Sequence, residues 1–499
     1  MNLAAVIEAH PEEAVALVSR GEPTTYGQLR AQVAELRGGL TRLGIEPGDR
    51  VALAAANNWF FAVTYLATLG VGAVAVPLNP ASPGAELERE LAAVRARVAV
   101  VGPSAREAIE AVDRTAAGLE HVVLAGAAEG EGPRVEDLFG GSTAPLVDRA
   151  EDDLAVLVFT AGTSGSPKAA MLTHGNLLAN IEQVQRHPGR RVEPTDALLG
   201  VLPLFHIFGL NVVLGLGLSA GARVVLVERF DPVASLDTLQ RHAITLVAGA
   251  PPMYAAWATM PGANPGAFGT VRLATSGAAP LPDETRPLFE QRFGVPIHEG
   301  YGLTEAAPVV TSSLVDRPPR PGSIGVPLPG LEVRLVDEEG EDALVGDPGE
   351  IWVRGPNVFK GYWENPDATA AALTPDGWLR TGDVAVADDE GWLYIVDRAK
   401  DLIIVSGFNV YPAEVEEALL EHPGIAQVAV VGNPHPYSGE TVVAFVVPED
   451  GRLLEEDEVI EFCADRLSRY KCPTKVNFVP SLPVGLAGKL LRRELRSSA

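Results

Sequence analysis

FTAGTSGSPKAAMLTHGNLLAN, Phe159 to Asn180, follows directly on the apolar run LAVLV and passes into a helix-like pattern. Of the ten positions Thr160 to Ala169, four are glycine or alanine, four carry hydroxyls, one is proline and one is lysine. A strand that ends in such a loop suits phosphate. Small residues let backbone amides and hydroxyls close around an anion, and Lys168 adds positive charge. The spacing is not that of the nucleoside-triphosphate loop G-x-x-x-x-G-K-[ST]: Gly162 is followed by Gly165 and then Ser166-Pro167-Lys168. On these residues alone a purely structural glycine/serine turn stays open.

Outward from the loop the text alternates helical and strand patterns. Upstream, TYGQLRAQVAELRGGLTRLG has apolar residues at helical spacing, Pro47-Gly48-Asp49-Arg50 turns the chain, and VALAA is a short strand. NNWFFAVTYLATLG, GAVAVPLNP and GAELERELAAVRARVAVVG repeat that cycle, and residues 104–150 read as a surface connection. Downstream, ALLGVLPLFHIFGL, ARVVLVERFD, ITLVAGAPPMYAAWA, VRLATSGAAPLP and VPIHEGYGLTEAAPVV continue it, several strands ending in Gly- or Pro-rich turns where open α/β sheets place ligands. This alternation predicts parallel sheets covered on both faces. From about Pro318 to residue 397, LEVRLVD, GEIWVRG and GWLYIVDR alternate apolar with polar residues, which predicts an antiparallel β subdomain. The last hundred or so residues read as a small α+β unit of about three strands and two or three helices. The expected fold is therefore α/β: a large N-terminal domain over 1–397, with the β subdomain at about 318–397, and a small α+β domain over 401–499.

Composition narrows the function classes. A chain of 499 residues with 47% hydrophobic and 21% charged residues fits about three globular domains. A formal net charge of −26 argues against a nucleic-acid or anionic-membrane binder, which needs clustered lysine and arginine. Cys463 and Cys472 show no C-x-x-C spacing and no paired histidines, so neither a metal centre nor a disulfide scaffold is indicated and a cytoplasmic location is expected. MNLAAVIEAHPEEAV reads as a helix rather than a signal peptide. Phe60 to Leu78 and Ala197 to Ala222 approach the ~20 residues of a membrane span, but the second contains Pro203, His206, Asn211 and five glycines and reads as a buried strand, turn and helix.

Thr160 to Lys168 resembles the T-S-G-T-T-G-x-P-K loop of the adenylate-forming superfamily, which includes acyl-CoA synthetases, luciferases and peptide-synthetase adenylation domains. Four more segments match in order: GYGLTE (Gly300 to Glu305) is similar to its Y-G-x-T-E motif, GWLRTGD (Gly377 to Asp383) to its T-G-D motif, DRAKDLIIVSGFNVYPAEVE (Asp397 to Glu416) to its hinge and glycine loop, and GKLLRREL (Gly488 to Leu495) to its terminal lysine motif. The resemblance covers about residues 20 to 495.

It implies specific roles. A carboxylate is a poor acyl donor; attack on the α-phosphate of ATP turns it into an acyl adenylate with a good leaving group. Thr160, Gly162, Thr163, Ser164 and Lys168 would hold the outer phosphates, Thr304 the α-phosphate, and Glu305 a Mg²⁺ ion. The Ser276-Gly277-Ala278-Ala279 turn and the Glu299-Gly300-Tyr301 strand end would bind the nucleoside, Tyr301 against adenine; Asp383 would take the ribose hydroxyls, assisted by Arg398. Lys489 would bridge carboxylate and α-phosphate. Residues 398–400 would form a hinge, with Lys400 its pivot, making the C-terminal domain mobile; Ser406, Gly407 and Phe408 would then face the site for coenzyme A. Arg229 is a further candidate for the CoA nucleotide. His206, Phe208, Val212, Gly300, Ala307, Pro308 and Val309 fall at acyl-pocket positions and carry no fixed charge, which implies an apolar aliphatic or aryl acid. His206 read alone could instead be a buried, hydrogen-bonded core histidine.

Three positions depart from the pattern: Ala161 for Ser, Ala169 for Gly, and Ala487 for Thr before Gly-Lys. Ile404 stands where plant aryl-CoA ligases and luciferases have lysine, which favours the bacterial fatty-acyl-CoA ligase group. The expected activity is an ATP-dependent acid–CoA ligase releasing AMP and pyrophosphate. A carrier-protein thiol as acceptor, a standard phosphate-loop phosphotransferase and a catalytically silent nucleotide-binding regulator are the rival readings.

Overall fold

A computed structural model of the chain describes residues 1–126, 132–160, 168–187, 189, 191–315, 319–337, 339–398, 403–449, 452–483 and 492–496; for 397, 398, 413, 493 and 494 it describes the backbone alone. Among the described residues the strands form four sheets. Helices alternate with the parallel strands of the first two, giving the large α/β domain that the alternation predicts.

The first sheet runs in the order His121–Leu124, Val98–Val101, Arg50–Ala54, Val74–Pro77, Leu154–Thr160, Lys168–Thr173, parallel except for its last pair. That pair corrects the reading of the decisive stretch. Leu154–Thr160 and Lys168–Thr173 pair antiparallel, Thr160 with Lys168 and Phe159 with Ala169, and the helix His174–Arg186 begins one strand later. KAAMLT fits either periodicity. Burial settles it, because Ala170 and Leu172 face the core while Thr173 caps the helix, its Oγ1 accepting from the Asn176 N–H at 3.1 Å.

The second sheet holds six parallel strands, Ile297–Gly302, Leu273–Ser276, Leu246–Gly249, Ala197–Gly200, Arg223–Leu226 and Val15–Ser19, with antiparallel strands added at both edges. Two expectations fail here and at the first sheet's edge. The N-terminus is a short 3₁₀ turn, Leu3–Ile7, followed by the strand Val15–Ser19 rather than a helix. The segment 104–150 is not merely a connection: His121–Leu124 is a four-residue edge strand, too short to stand out in Ala/Gly/Glu-rich text.

Residues Ala197 to Ala222 form a buried strand, a turn and helix, Phe208–Gly215 in π geometry continuing as Leu216–Ser219. No described helix is long and apolar enough to cross a membrane. Gly209 is required at this bend, since a Cβ there would lie 2.3 Å from the Pro203 carbonyl oxygen.

The β subdomain is the antiparallel sheet Glu332–Val336, Gly349–Arg354, Leu379–Ala387, Leu393–Arg398. Its third strand carries the T-G-D motif and was not separately read from sequence. Among its described residues the C-terminal unit has five strands rather than about three: Ile403–Val405, Phe408–Val410, Ile425–His435, Gly439–Pro448 and Lys475–Phe478. It has apolar cores of its own on both faces, one centred on Val415, Val430 and Val459, the other on Val431 and Phe445.

Asn57 ties the two large sheets together under the site. Its buried amide donates to the carbonyls of Gly200 (3.0 Å) and Leu202 (2.7 Å) and accepts from the Leu204 N–H (2.9 Å). Asn57→Ala orphans those backbone groups, and we expect it to destabilise the N-terminal domain by about 2–4 kcal/mol, read from denaturant unfolding. A shift under about 0.5 kcal/mol, the range of ordinary surface substitutions, would refute the tie.

Candidate active site

Both large sheets, the β subdomain and the C-terminal loop at Gly407 border one cavity of about 720 Å³. Its polar end starts at the hairpin mouth. Thr160 and Lys168 line it from the two paired strands, and the Lys168 Nζ lies 5.5 Å from the centre of the Tyr362 ring. Tyr362 Oη donates to Glu305 Oε1 at 2.6 Å, and Glu305 is 9% exposed. Burial, then the Glu305 charge, raises the Tyr362 phenol far above its ordinary range, so it stays a donor. Tyr362 was missed in the sequence. Its segment locks onto the hairpin edge, Trp363 N–H donating to the Ala169 carbonyl (2.8 Å) and Met171 N–H to that of Gly361 (2.9 Å); the sequence signal was an aromatic pair directly after a glycine.

Thr304, from the turn after Ile297–Gly302, lines the same end. Gly277 and Ala278 follow the strand Leu273–Ser276, and Ser276 Oγ is buried at the cavity wall with no hydrogen-bond partner among the described residues, a polar atom that a ligand can satisfy. Tyr301 Oη donates to Asp383 Oδ2 at 2.7 Å. Glu299 also lines the cavity, but its carboxylate is paired with Arg286 and accepts from the Leu281 N–H at 3.3 Å. Burial nevertheless raises it above the usual carboxylate range.

The other end is apolar. Phe208 and Val212 approach from the π-helical segment and His206 from the turn before it, Gly300 and Val309 come from the facing strands and Pro308 from the turn between them, and Leu198, Leu246, Leu273 and Leu314 also line this end. These leucines were not identified from sequence because they read as ordinary core. Ala307 is a correction: it is fully buried and does not line the cavity; its carbonyl accepts from Asn211 Nδ2 at 2.8 Å. His206 Nδ1 accepts the Phe208 N–H at 3.2 Å, which assigns the ring proton to Nε2 when the ring is neutral. Burial lowers its pKa to about 4.

The remaining rim comes from the C-terminal domain. Gly407 has φ +87°, and a Cβ there would lie 3.1 Å from the Ala250 Cβ, so the backbone sits tight against the cavity rim. Asn409 and Tyr411 also line the cavity. Phe408 stacks parallel to Phe205 with ring centres 6.1 Å apart and meets His206 edge-on at 6.5 Å. Ser406 and Arg229 are exposed and are not part of the wall. Arg398 pairs with Asp383 through the backbone register; its side chain, like Gly162, Thr163, Ser164, Lys400 and Lys489, lies outside what the structure describes, as do Ala161 and Ala487.

Paired strands carrying Thr160 and Lys168 thus border a cavity whose far end is apolar and whose rim is met by a second domain. The chain belongs to the AMP-binding enzyme family, which matches residues 3–363, with the AMP-binding enzyme C-terminal domain matching 414–489. It is 43% identical over 354 residues to a long-chain-fatty-acid–CoA ligase of Bacillus subtilis, covering 71% of this chain and 63% of that one. It is 40% identical over 97% of its length to a feruloyl-CoA synthase of Amycolatopsis, 95% of which is covered. Among solved structures, an amide bond synthetase from Marinactinospora thermotolerans superposes with a TM-score of 0.89 at 33% identity, covering 100% of this chain and 99% of that one. The resemblance to the adenylate-forming superfamily and the α/β fold class thus stand.

A histidine whose folded pKa is lowered to about 4 contributes stability that is present above its ordinary pKa of about 6.5 and is lost as pH falls below that value toward 4. NMR of ¹³C-labelled histidine, assigned with His206→Gln, is expected to show His206 still neutral at pH 5.5; a midpoint near 6.5 would refute the burial argument.

Proposed function

We propose that the chain is an ATP- and Mg²⁺-dependent acid–CoA ligase that activates an apolar carboxylic acid, fatty or aryl, as its acyl adenylate and then forms the acyl-CoA thioester. The carrying observation is continuity: Lys168, Glu305 and Asp383 share one cavity with His206, Phe208 and the inner leucines, and Gly407 sits at its rim.

In the first step a carboxylate oxygen attacks the α-phosphorus, the bond to the bridging β-oxygen breaks, and pyrophosphate leaves. Thr160 and Lys168, with Gly162, Thr163 and Ser164, hold the departing phosphates; Thr304 holds the α-phosphate. Glu305 offers a hard oxygen for Mg²⁺, oriented by Tyr362. Among the described residues no group of three or more His, Cys, Asp or Glu could hold a metal, so substrate phosphates would complete the shell. Held there, Mg²⁺ would supply positive charge to the phosphates. Asp383, oriented by Tyr301, takes the ribose hydroxyls, Tyr301 lies against adenine beside Gly277, Ala278 and Gly300, and Arg398 assists. Glu299 shapes this wall as a partner of Arg286. His206 Nε2–H reaches the acyl carboxylate, and Lys489 bridges it to the α-phosphate.

In the second step the CoA sulfur attacks the acyl carbon, the bond to the adenylate oxygen breaks, AMP leaves, and the thiol proton passes to solvent. Gly407 leaves room for pantetheine and Phe408 closes over His206. The domains divide at residues 398–400, with Lys400 the pivot between the two steps. Both described cysteines are free, in keeping with a reducing cytoplasm.

Pyrophosphate exchange over a panel of aliphatic and cinnamic-type acids tests the first step. Exchange confined to polar or amino acids would overturn the pocket assignment. AMP with acyl-CoA as products is expected with octanoate and CoA; acyl transfer only to a phosphopantetheinylated carrier, or only to an amine, would overturn the acceptor. We further expect Lys489→Ala to cut exchange by at least about 100-fold while leaving transfer from supplied acyl adenylate to CoA within about threefold, on the scale of a lost transition-state charge contact. Equal losses in both steps would refute the two-state assignment.

A further inference from the structure

Away from the cavity, a buried charge cluster joins the two domains. The N-terminal helix Gly84–Val94 presents Glu86 and Glu90; the C-terminal domain presents Glu414, from the helix Pro412–Leu420, and Ser468 and Lys471 around the turn Arg469–Lys471. All five are buried. Lys471 Nζ donates to Glu86 Oε1 (2.5 Å) and Glu414 Oε1 (2.8 Å). Ser468 donates to Glu86 Oε2 twice, from its N–H (2.8 Å) and its hydroxyl (2.7 Å); its Oγ also accepts from Asn79 Nδ2 (3.1 Å) and lies 2.9 Å from Ser82 Oγ.

Burial pushes Glu90 and Glu414 upward, Glu90 well above the carboxylate range. Burial acts on Glu86 too, but Lys471 and the Ser468 hydrogen bonds overcome it and hold Glu86 below that range. The shorter of the two Lys471 contacts, 2.5 Å to Glu86 against 2.8 Å to Glu414, is the one that reaches the other domain. Directly beside it, the Tyr470 ring packs on Phe408 at 4.6 Å between centres, and Phe408 is the ring that covers Phe205 and His206.

We propose that Lys471, clamped by Glu86, is a positioning residue for the thioester-forming step: it seats the C-terminal domain so that Tyr470 and Phe408 hold the Gly407 loop at the cavity rim. Any arrangement that parts the helix Gly84–Val94 from the turn Arg469–Lys471 returns these charges to water. Removing the ammonium therefore penalises the seated arrangement selectively, because a buried carboxylate without its counter-charge is costly only there. Acyl adenylate formation does not require this seat. The inference rests on the CoA reading above, through the acceptor whose binding the seat favours.

If CoA binds only the seated arrangement, its apparent affinity falls with the seated fraction, and saturating CoA restores the rate. Single-turnover transfer from supplied octanoyl adenylate is expected to need at least tenfold more CoA in Lys471→Met, with little change at saturation and with pyrophosphate exchange within about twofold of wild type. Lys471→Arg, which keeps the charge, is expected to recover most of the CoA dependence. An unchanged CoA requirement in Lys471→Met, or parallel losses in exchange and transfer, would overturn the inference. Hydrogen exchange separates this from failure of the CoA reading: the Ser468 amide, which donates to Glu86, should exchange faster in Lys471→Met while the strands Ile425–His435 and Gly439–Pro448 keep their protection. No acceleration at Ser468 sinks the proposal whichever thiol or amine is the acceptor. Wild-type transfer only to another acceptor sinks the CoA reading, and accelerated exchange then still supports the seat.

Discussion

Three carboxylates, Glu299, Glu305 and Asp383, border one cavity, and the site is arranged around how each is partnered. Glu305 and Asp383 each receive a phenol, from Tyr362 and Tyr301. A neutral donor fixes a carboxylate's orientation yet leaves its charge for a cation or for hydroxyl donors. Glu299 is paired instead with the Arg286 guanidinium, which uses that charge up. The three acids therefore differ in chemical availability although they line one wall. The phenols come from Gly361-Tyr362 at the hairpin edge and from the end of a parallel strand, so the electrostatics depend on the two large sheets keeping their relative place.

Much of this was legible in sequence, for physical reasons. Strand–helix alternation reports burial on both faces of a parallel sheet, and it located most of the strands that carry the wall. The motif residues Lys168, Tyr301, Thr304, Glu305 and Asp383 are brought to one cavity from three of the sheets and the turn between two strands. What failed was short or ambiguous. KAAMLT fits two periods, and HVVL at His121–Leu124 is too brief to register. Tyr362 reaches the site only through backbone pairing of its segment with the hairpin, which no local pattern announces. The inner leucines escaped because a cavity wall and a packed core use the same residues.

Ala169 illustrates how a motif departure changes meaning once it has neighbours. Read as a loop residue, it looked like a lost glycine near phosphate. It is instead a strand residue, 5% exposed, packed in the cluster that includes Leu157 and Ala99 on the far side of the first sheet. Its carbonyl accepts the Trp363 N–H that anchors the Tyr362 segment. A methyl group is compatible with that place, since strand geometry needs no positive φ and burial favours the added carbon. The departure therefore bears on packing beneath the hairpin, and through Trp363 on where Tyr362 stands.

On the proposed reading the two chemical steps set opposing demands on the C-terminal domain, and its described surfaces fit that reading. Its own cores around Val430 and Phe445 are apolar and internal, whereas its seat on the helix Gly84–Val94 is built of carboxylates, an ammonium and hydroxyls. An apolar seat of similar area would hold the domain by burial and expose a greasy face whenever it left. A charged seat is nearly balanced, because the water it displaces competes for the same groups. Such a contact holds one arrangement without making the other prohibitive. Reversibility of that kind is what an enzyme needs if one cavity is to serve first a phosphate and then a thiol.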